Sequence, residues 1–160
     1  MKTIINLILL FLIISYSSYS QNTEKELNIA LDEWHNAASE ANADNYFGFM
    51  DASSIYIGTD AGERWNKNEF IQFAKPYFDK GKAWDFKAYD RQIIFSEDMK
   101  IAWFDELLET WMGVCRGSGV IELKNDQWKL IHYHLSVTVP NEKIYEFIDL
   151  INPPTEGNKK

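Results

Sequence analysis

The chain has 160 residues, with 24 acidic and 16 basic side chains and a formal net charge of −8. This acidity argues against binding to nucleic acid or to anionic membrane surfaces, because both need positive charge. The only cysteine, Cys115, excludes an internal disulfide, and we expect it to be a buried, inert thiol. Aromatic residues make up 15% of the chain, which indicates an aromatic core or a cavity lined by rings.

The first twenty residues have the pattern of a secretory signal peptide. Lys2 gives a positive start, residues 4–14 are almost uninterrupted apolar, and small residues stand at −3 and −1 before Gln21. The apolar run is too short for a comfortable transmembrane span, which needs about 20 residues. We therefore predict a signal peptide over 1–20, a secreted or periplasmic domain over 21–151 and a flexible tail over 152–160.

Helices are predicted in the first half of this domain. Apolar residues recur at helical spacing from Leu27 to Ala41, which predicts a first amphipathic helix. Asp44 is positioned to cap a short second helix that ends near Met50. Asn66, with Glu69 three residues on, predicts a capping box at the start of a third helix. Pro76 should kink that helix or end it early.

Strands are predicted in the second half. Short strands are expected near residues 55–57 and 63–65, and a long one over 83–95 with a bulge near residues 90–91. Residues 100–139 contain three runs rich in β-branched and aromatic residues, and 124–127 has turn chemistry. We therefore expect an antiparallel meander there, followed by a short helix from Asn141 to Ile148.

This order of elements is accompanied by motifs along most of residues 27–141. They are Trp34, Asn42-Ala43-Asp44-Asn45-Tyr46, Asp51-Ala52-Ser53-Ser54-Ile55-Tyr56, residues 70–76, Ala102-Trp103-Phe104-Asp105-Glu106, Arg116-Gly117-Ser118-Gly119-Val120 and residues 128–136. In order and spacing they resemble the SnoaL-like branch of the nuclear transport factor 2-like superfamily. The resemblance implies an α+β cone, in which a strongly curved antiparallel sheet wraps around N-terminal helices (a cystatin-like α+β barrel) and leaves an open pocket. It also implies a homodimer formed through the exposed face of the sheet.

Members of this superfamily include isomerases, dehydratases, hydrolases, cyclases and non-catalytic binding or assembly domains. The isomerase-type members use a tyrosine and two acids. The resemblance places Trp34, Ile57 or Gly58, and Gly119 at those positions, so steroid-isomerase chemistry is not carried over. Any catalysis would need other residues.

Asp105 and Glu106 are the first candidates for such chemistry. Neighbours on a strand point to opposite faces, and we favour Trp103, Asp105 and Leu107 as the inward set. An inward carboxylate among rings would have a raised pKa and could act as an acid or base. The alternative is a structural ion pair with Arg116 or a histidine.

His132 and His134 share one face of the last strand. On the concave side, His134 could pair with Asp105 as a base with its orienting carboxylate. On the outer face, both would be dimer-interface residues. A His-x-His pattern without a clear third ligand is weak evidence for a metal, so we predict no metal and no cofactor.

The remaining candidates would bind rather than react. Arg116 could hold a ligand carboxylate bidentately, or could simply pair with a neighbouring acid on the surface. The rings that could line the cavity, with plain core packing as the alternative for each, are Trp34, Tyr56, Trp65, Phe73, Tyr77 and Trp103.

Three functions follow as hypotheses. The first is binding of a small apolar or aromatic molecule, with or without an acid group, and without turnover. The second is a cofactor-free isomerase, dehydratase or hydrolase that uses Asp105 and His134. The third is a structural or assembly module whose cavity is filled by its own side chains.

Overall fold

The computed structural model describes residues 23–152, in which helices pack against one six-stranded sheet. The predicted signal peptide and, apart from Asn152, the predicted tail lie outside the described residues. The elements in chain order are α1 (23–39), α2 (Ala43–Phe49), β1 (Met50–Ile57), β2 (Arg64–Asn66), α3 (Lys67–Phe78), β3 (Lys87–Phe95), β4 (Ile101–Thr110), β5 (Gly113–Lys124), β6 (Gln127–Val137), a 3-10 turn (Asn141–Lys143) and α4 (Ile144–Ile151). The predicted α+β class is confirmed.

The sheet has the strand order β2-β1-β6-β5-β4-β3. Strands β3 to β6 form an antiparallel meander, as predicted, while β1 lies parallel to β6. Consecutive strands of the meander are joined by short turns, whereas the parallel pair joins residues about 80 positions apart, such as Tyr56 and Tyr133. Local pattern alone did not predict that parallel pairing.

Several predicted local signals are confirmed. The Asn66 side chain accepts from the Glu69 amide at 3.1 Å and the Asn66 amide donates to the Glu69 carboxylate at 2.8 Å, which completes the capping box. Asp90 has a φ of 51°, and the register of β3 against β4 shifts between Tyr89 and Gln92, so the predicted bulge is present. The 124–127 turn has left-handed backbone at Asn125 and Asp126.

Other boundaries differ from the prediction. The N-cap of α2 is Asn42, not Asp44, because the Asn42 side chain accepts from the Asn45 amide at 3.1 Å. Strand β3 begins at Lys87 instead of 83, and the polypeptide before it has no regular structure. Helix α3 continues two residues past Pro76 and ends at Phe78.

The core lies between the helices and the concave face of the sheet. Leu27, Leu31, Trp34 and Ala38 supply the buried stripe of α1, as the sequence predicted. They join buried residues of every strand except β2 and β3, and Trp34 stacks on Tyr46 with a ring-centroid distance of 5.0 Å. Within residues 23–152, no helix is both long and apolar enough to cross a bilayer.

Helix α4 differs from the rest of the fold. It carries six large apolar side chains (Ile144, Tyr145, Phe147, Ile148, Leu150 and Ile151), and all of them are exposed. In the described part of the chain, none of them belongs to the hydrophobic core or packs against it.

Candidate functional site

The burial of β4 decides which of its acids points into the cone. Glu106 is fully buried, together with Phe104 and Leu108, whereas the Asp105 side chain is 45% exposed and Trp103 is 44% exposed. The predicted orientation of this strand is therefore wrong. The inward residues are the even-numbered ones, because these face the apolar stripe of α1.

Glu106 is the centre of a buried polar network. Its Oε1 lies 2.7 Å from His35 Nε2 and accepts from the Tyr133 hydroxyl at 3.3 Å, while its Oε2 accepts from Arg91 Nε at 2.7 Å. Arg91 is itself buried, and its Nη1 donates to the Asn28 carbonyl at 3.0 Å. Both carboxylate oxygens thus have partners, as a buried charge requires.

The network sets the protonation states inside the cone. Burial alone would raise the pKa of Glu106, but the hydrogen bond and charge of His35 and the charge of Arg91 outweigh burial and lower this pKa. Burial raises the pKa of Tyr133 well above its ordinary value, and the nearby Glu106 charge raises it further. At neutral pH the network therefore holds an ionised Glu106 and a neutral Tyr133.

The fold also forms an open pocket of about 180 Å³, which we call the aromatic pocket. It lies between β1, β2, α3, the segment before β3 and the β4–β5 hairpin. Its ring-bearing lining residues are Tyr56, Trp65, Phe70, Phe73, Tyr77, Trp84, Phe86 and Trp111. The other lining residues are Gly58, Thr59, Glu63, Ala83, Met112 and Leu135, so Glu63 is the only charged one. A ring-lined cavity with a few polar groups is the usual form of a small-molecule site.

Four of the predicted ring residues line this pocket, namely Tyr56, Trp65, Phe73 and Tyr77. Trp65 and Phe73 stack with their centroids 4.4 Å apart, and Tyr56 stacks on Phe70 at 3.9 Å. Burial, followed by the charge of Glu63, raises the pKa of Tyr56, so its hydroxyl stays neutral. Whether these rings bind a ligand remains a prediction.

The other two predicted ring residues lie elsewhere. Trp34 is buried in the core, where it stacks on Tyr46 and meets Tyr133 edge to face. Trp103 projects from the convex face of the sheet, opposite Val120 of β5. Neither lines the aromatic pocket, because core packing takes Trp34 and strand alternation turns Trp103 outward.

The predicted catalytic pair also lies on the convex face. Asp105 is directly opposite Ser118, and Ser118 is directly opposite His134, so the three side chains form one row across β4, β5 and β6. His134 Nε2 lies 3.3 Å from the Ser136 hydroxyl. Asp105 and His134 share a face of the sheet, as predicted. That face is the outer one, because the buried Tyr133 and Leu135 occupy the inner positions of β6.

Arg116 forms an ion pair with Asp105, and both side chains are about half exposed. This surface ion pair is the alternative that the sequence analysis gave to binding of a ligand carboxylate by Arg116. Arg116 is not a lining residue of the aromatic pocket. It therefore cannot hold the acid group of a ligand bound there.

A larger concavity of about 860 Å³ lies between α1, α2 and the start of β6. Its lining includes four acids, Glu26, Glu33, Glu40 and Asp44, and one cation, Lys129. Trp34 forms part of its floor. It is an open groove with four acids and three rings (Trp34, Phe49 and Trp128), compared with eight rings in the aromatic pocket, so we do not assign it as the ligand site.

Sequence reasoning named Glu106 as a candidate but turned it outward, and it missed His35, Arg91, Glu63 and Trp84. His35 follows Trp34 on α1, and its position beside the buried stripe was a signal that it too could face the sheet. Arg91 lies at the bulge that the sequence did predict. Glu63 belongs to a turn whose return to the pocket depends on the β1–β2 pairing, so no local pattern points to it. No group of three or more metal-ligating side chains comes together in residues 23–152.

Solved structures share this fold at low sequence identity. A nuclear transport factor 2-like protein of unknown function from Pseudomonas putida is 12% identical, with 77% of this chain and 92% of that one covered and a TM-score of 0.63. A cystatin-like domain of unknown function from Nostoc punctiforme is 12% identical, with 83% and 88% covered and a TM-score of 0.68. The association domain of Caenorhabditis elegans CaMKII is 17% identical, with 73% and 97% covered and a TM-score of 0.58.

No protein with a curated description matches the chain. The family model for the SnoaL-like domain matches residues 27–140, which include most of α1, the whole sheet and the aromatic pocket. The expected nuclear transport factor 2-like architecture is therefore confirmed, and the chain belongs to the SnoaL-like domain family.

Proposed function

We propose that this SnoaL-like domain binds a small apolar or aromatic molecule in the aromatic pocket, without turnover. The observation that carries the proposal is the convergence of eight aromatic side chains and a single charge on one cavity of about 180 Å³. An apolar cavity of about 150 Å³ takes a benzene-sized guest. The ligand, or the part of it that enters, is therefore about the size of one ring.

The polar network supports binding over catalysis. Glu106 and His35 are buried, and neither is a lining residue of the aromatic pocket or of the groove beside α1. Every oxygen of Glu106 has a partner, so this acid is engaged in holding the fold. The alternative of a cofactor-free enzyme that uses Asp105 and His134 remains a prediction, and it would need a site on the convex face of the sheet.

The experiment uses two exposed tryptophans as a matched pair. Trp111 contributes to the pocket yet is 83% exposed, so Trp111→Ala should bind less ligand without loss of stability. Trp103 lies on the convex face, so Trp103→Ala should leave affinity unchanged. We would titrate both variants and the parent protein with p-cresol, a neutral one-ring probe, by saturation-transfer NMR.

A several-fold weaker affinity of the Trp111 variant alone would support the proposal. Absence of p-cresol binding to the parent protein, or equal weakening by the two variants, would contradict it. In that case the third hypothesis, an assembly module, would become the better description.

We also propose that the domain forms a homodimer through the convex face of the sheet. This face exposes apolar side chains, among them Tyr89, Ile94 and Trp103, and it carries both an acid and a base in Asp105 and Arg116. A patch with both charge signs can pair with its own copy across a two-fold axis. Three of the structures with this fold are named association domains, two of them provisionally, which is consistent with assembly.

Sedimentation equilibrium tests the dimer. Trp103→Glu should shift the protein towards monomer, because a new charge on each copy would be buried against the other. Tyr145→Glu, on the exposed helix α4, is the control and should not shift it. A parent protein that is monomeric at all concentrations would refute the proposal.

Export is a further proposal, supported by the pattern of residues 1–20. N-terminal sequencing of the protein recovered outside the cytoplasm should begin at Gln21. An N-terminus that retains Met1 would contradict cleavage.

A further inference from the structure

Among residues 23–152, the only charged side chain that lines the aromatic pocket is the carboxylate of Glu63. It has no Lys, Arg or His nitrogen within 4.0 Å in the described part of the chain. Its Oε2 accepts one long hydrogen bond, from the Asp60 amide at 3.2 Å. A half-buried carboxylate beside aromatic rings is thus left without a counter-charge.

The backbone holds this carboxylate in place. The Gly58 amide donates to the Glu63 carbonyl at 2.8 Å, and the Glu63 amide donates to the Asp60 carbonyl at 2.9 Å. Gly58 has no side chain, and a Cβ there would stand 2.2 Å from Glu63 Oε2. The absence of a side chain at Gly58 therefore creates the space that the carboxylate occupies at the pocket wall.

The aromatic rings around Glu63 also attract cations, as its carboxylate does. The faces of Trp and Tyr rings are negative and attract cations, with Trp the strongest. Trp65, Trp84, Trp111, Tyr56 and Tyr77 all contribute to the pocket. One of these rings already meets a cation, since Lys80 Nζ lies 5.9 Å from the Tyr77 centroid, although Lys80 does not line the pocket.

We propose that the aromatic pocket is selective for a small organic cation, a methylated or otherwise alkylated ammonium group, with Glu63 as its counter-charge. This rests on the proposed ligand-binding function of the pocket and narrows the ligand to one whose apolar surface surrounds a positive charge. An alkylated ammonium has an apolar surface that suits a wall of rings, and its low hydrogen-bonding demand matches a pocket with few acceptors. A primary ammonium would need three acceptors, and an anionic ligand would be repelled by Glu63.

The test compares two probes of the same shape. Choline carries a trimethylammonium group, and 3,3-dimethylbutan-1-ol is its neutral isostere with carbon in place of nitrogen. Binding of each probe to the chain from Gln21 to Lys160 would be followed by tryptophan fluorescence and by calorimetry. We expect choline to bind about tenfold more tightly, a difference of about 1.4 kcal/mol.

Two charge-removing variants locate the effect. Glu63→Gln keeps an oxygen for the Asp60 amide, so the fold is preserved, and we expect it to abolish the preference for choline. Asp60→Asn removes a charge from the same loop at a residue that does not line the pocket, and it should keep the preference. Melting temperatures of both variants show that they are folded.

Three results would overturn this inference. The first is equal affinity of the parent protein for the two probes, and the second is a preference for choline that survives in Glu63→Gln. The third is an equal loss of preference in Glu63→Gln and Asp60→Asn, which would mean that the net negative charge of the protein, and not Glu63, attracts choline. If p-cresol and the neutral alcohol bind but choline has no advantage, the inference fails and the proposed function stands. If none of the probes binds, both fail.

Discussion

His35 Nε2 lies 2.7 Å from Glu106 Oε1, a contact that joins α1 to β4 across 71 positions of the chain. Both residues are buried, with exposures of 5% and 0%. Arg91 of β3 binds the other oxygen of the same carboxylate, and Tyr133 of β6 donates to the first. One acid therefore connects a helix and three strands inside the cone, so its removal should be felt throughout the fold.

The first prediction concerns Glu106 itself. Glu106→Ala removes the buried carboxylate that pairs with Arg91 Nε and His35. The Arg91 guanidinium is then left with its ion pair to the exposed Asp32 at 2.8 Å and its hydrogen bonds to Asn28. Loss of one member of a buried ion pair costs about 3–5 kcal/mol. We expect the free energy of unfolding in urea to fall by that amount. Asp105→Ala is the control on the same strand, because its ion pair with Arg116 is half exposed and is worth at most about 1 kcal/mol. Equal losses in the two variants would contradict the assignment of Glu106 as the inward acid.

The second prediction concerns pH. The pKa of Glu106 is lowered in the folded protein from an ordinary value of 4.5, so its ionisation stabilises the fold above pH 4.5. That stabilisation should be lost as the pH falls below 4.5 and through the lowered pKa. Glu106→Gln should therefore be less stable than the parent at pH 7, with a difference that narrows in acid. Unfolding curves of both proteins at intervals from pH 7 to pH 3 measure the difference in their free energies of unfolding. A difference that stays constant over this range would contradict the prediction.

The third prediction concerns Gly119, which lies opposite Phe104 and Tyr133 in the sheet. A Cβ there would stand 2.6 Å from the Phe104 ring and 2.8 Å from the His132 carbonyl oxygen. Gly119→Ala should cost about 1–3 kcal/mol, as overpacking usually does. Gly48→Ala is the control, since a Cβ at this position in α2 meets nothing within 4 Å, and it should stabilise the helix by about 0.5–1 kcal/mol. Thermal unfolding of both variants gives the comparison. Unchanged stability of Gly119→Ala would contradict the prediction and show that the Phe104 ring and the β6 backbone move to accommodate the added methyl group.

The fourth prediction concerns Cys115, which is fully buried with its Sγ 3.5 Å from the Thr110 hydroxyl. Its thiol should react with a disulfide reagent only when the protein unfolds. The labelling rate in native buffer should rise on addition of urea in parallel with the unfolded fraction. Rapid labelling of the native protein would mean that the thiol is accessible, against both the sequence expectation and the observed burial.

The sequence by itself determined the local elements of this protein. Helical spacing predicted α1 and its buried stripe, Asn66 and Glu69 predicted the capping box, and Asp90 marked the bulge. These features depend on residues a few positions apart, whose geometry is set by backbone sterics and nearby hydrogen bonds. The order and spacing of the motifs along residues 27–141 also indicated the family, and the family model matches residues 27–140.

Only the tertiary structure decided which residues meet. Alternation fixes that Asp105 and Glu106 point in opposite directions, but the choice of the inward one depends on which face α1 covers, and that is a contact across 71 positions. The same choice put His134 outside and Tyr133 inside. Glu63 approaches the aromatic pocket only because β2 folds back on β1. Long-range packing selects between alternatives that local patterns do not distinguish, so the network and the pocket charge could not be predicted from the sequence alone.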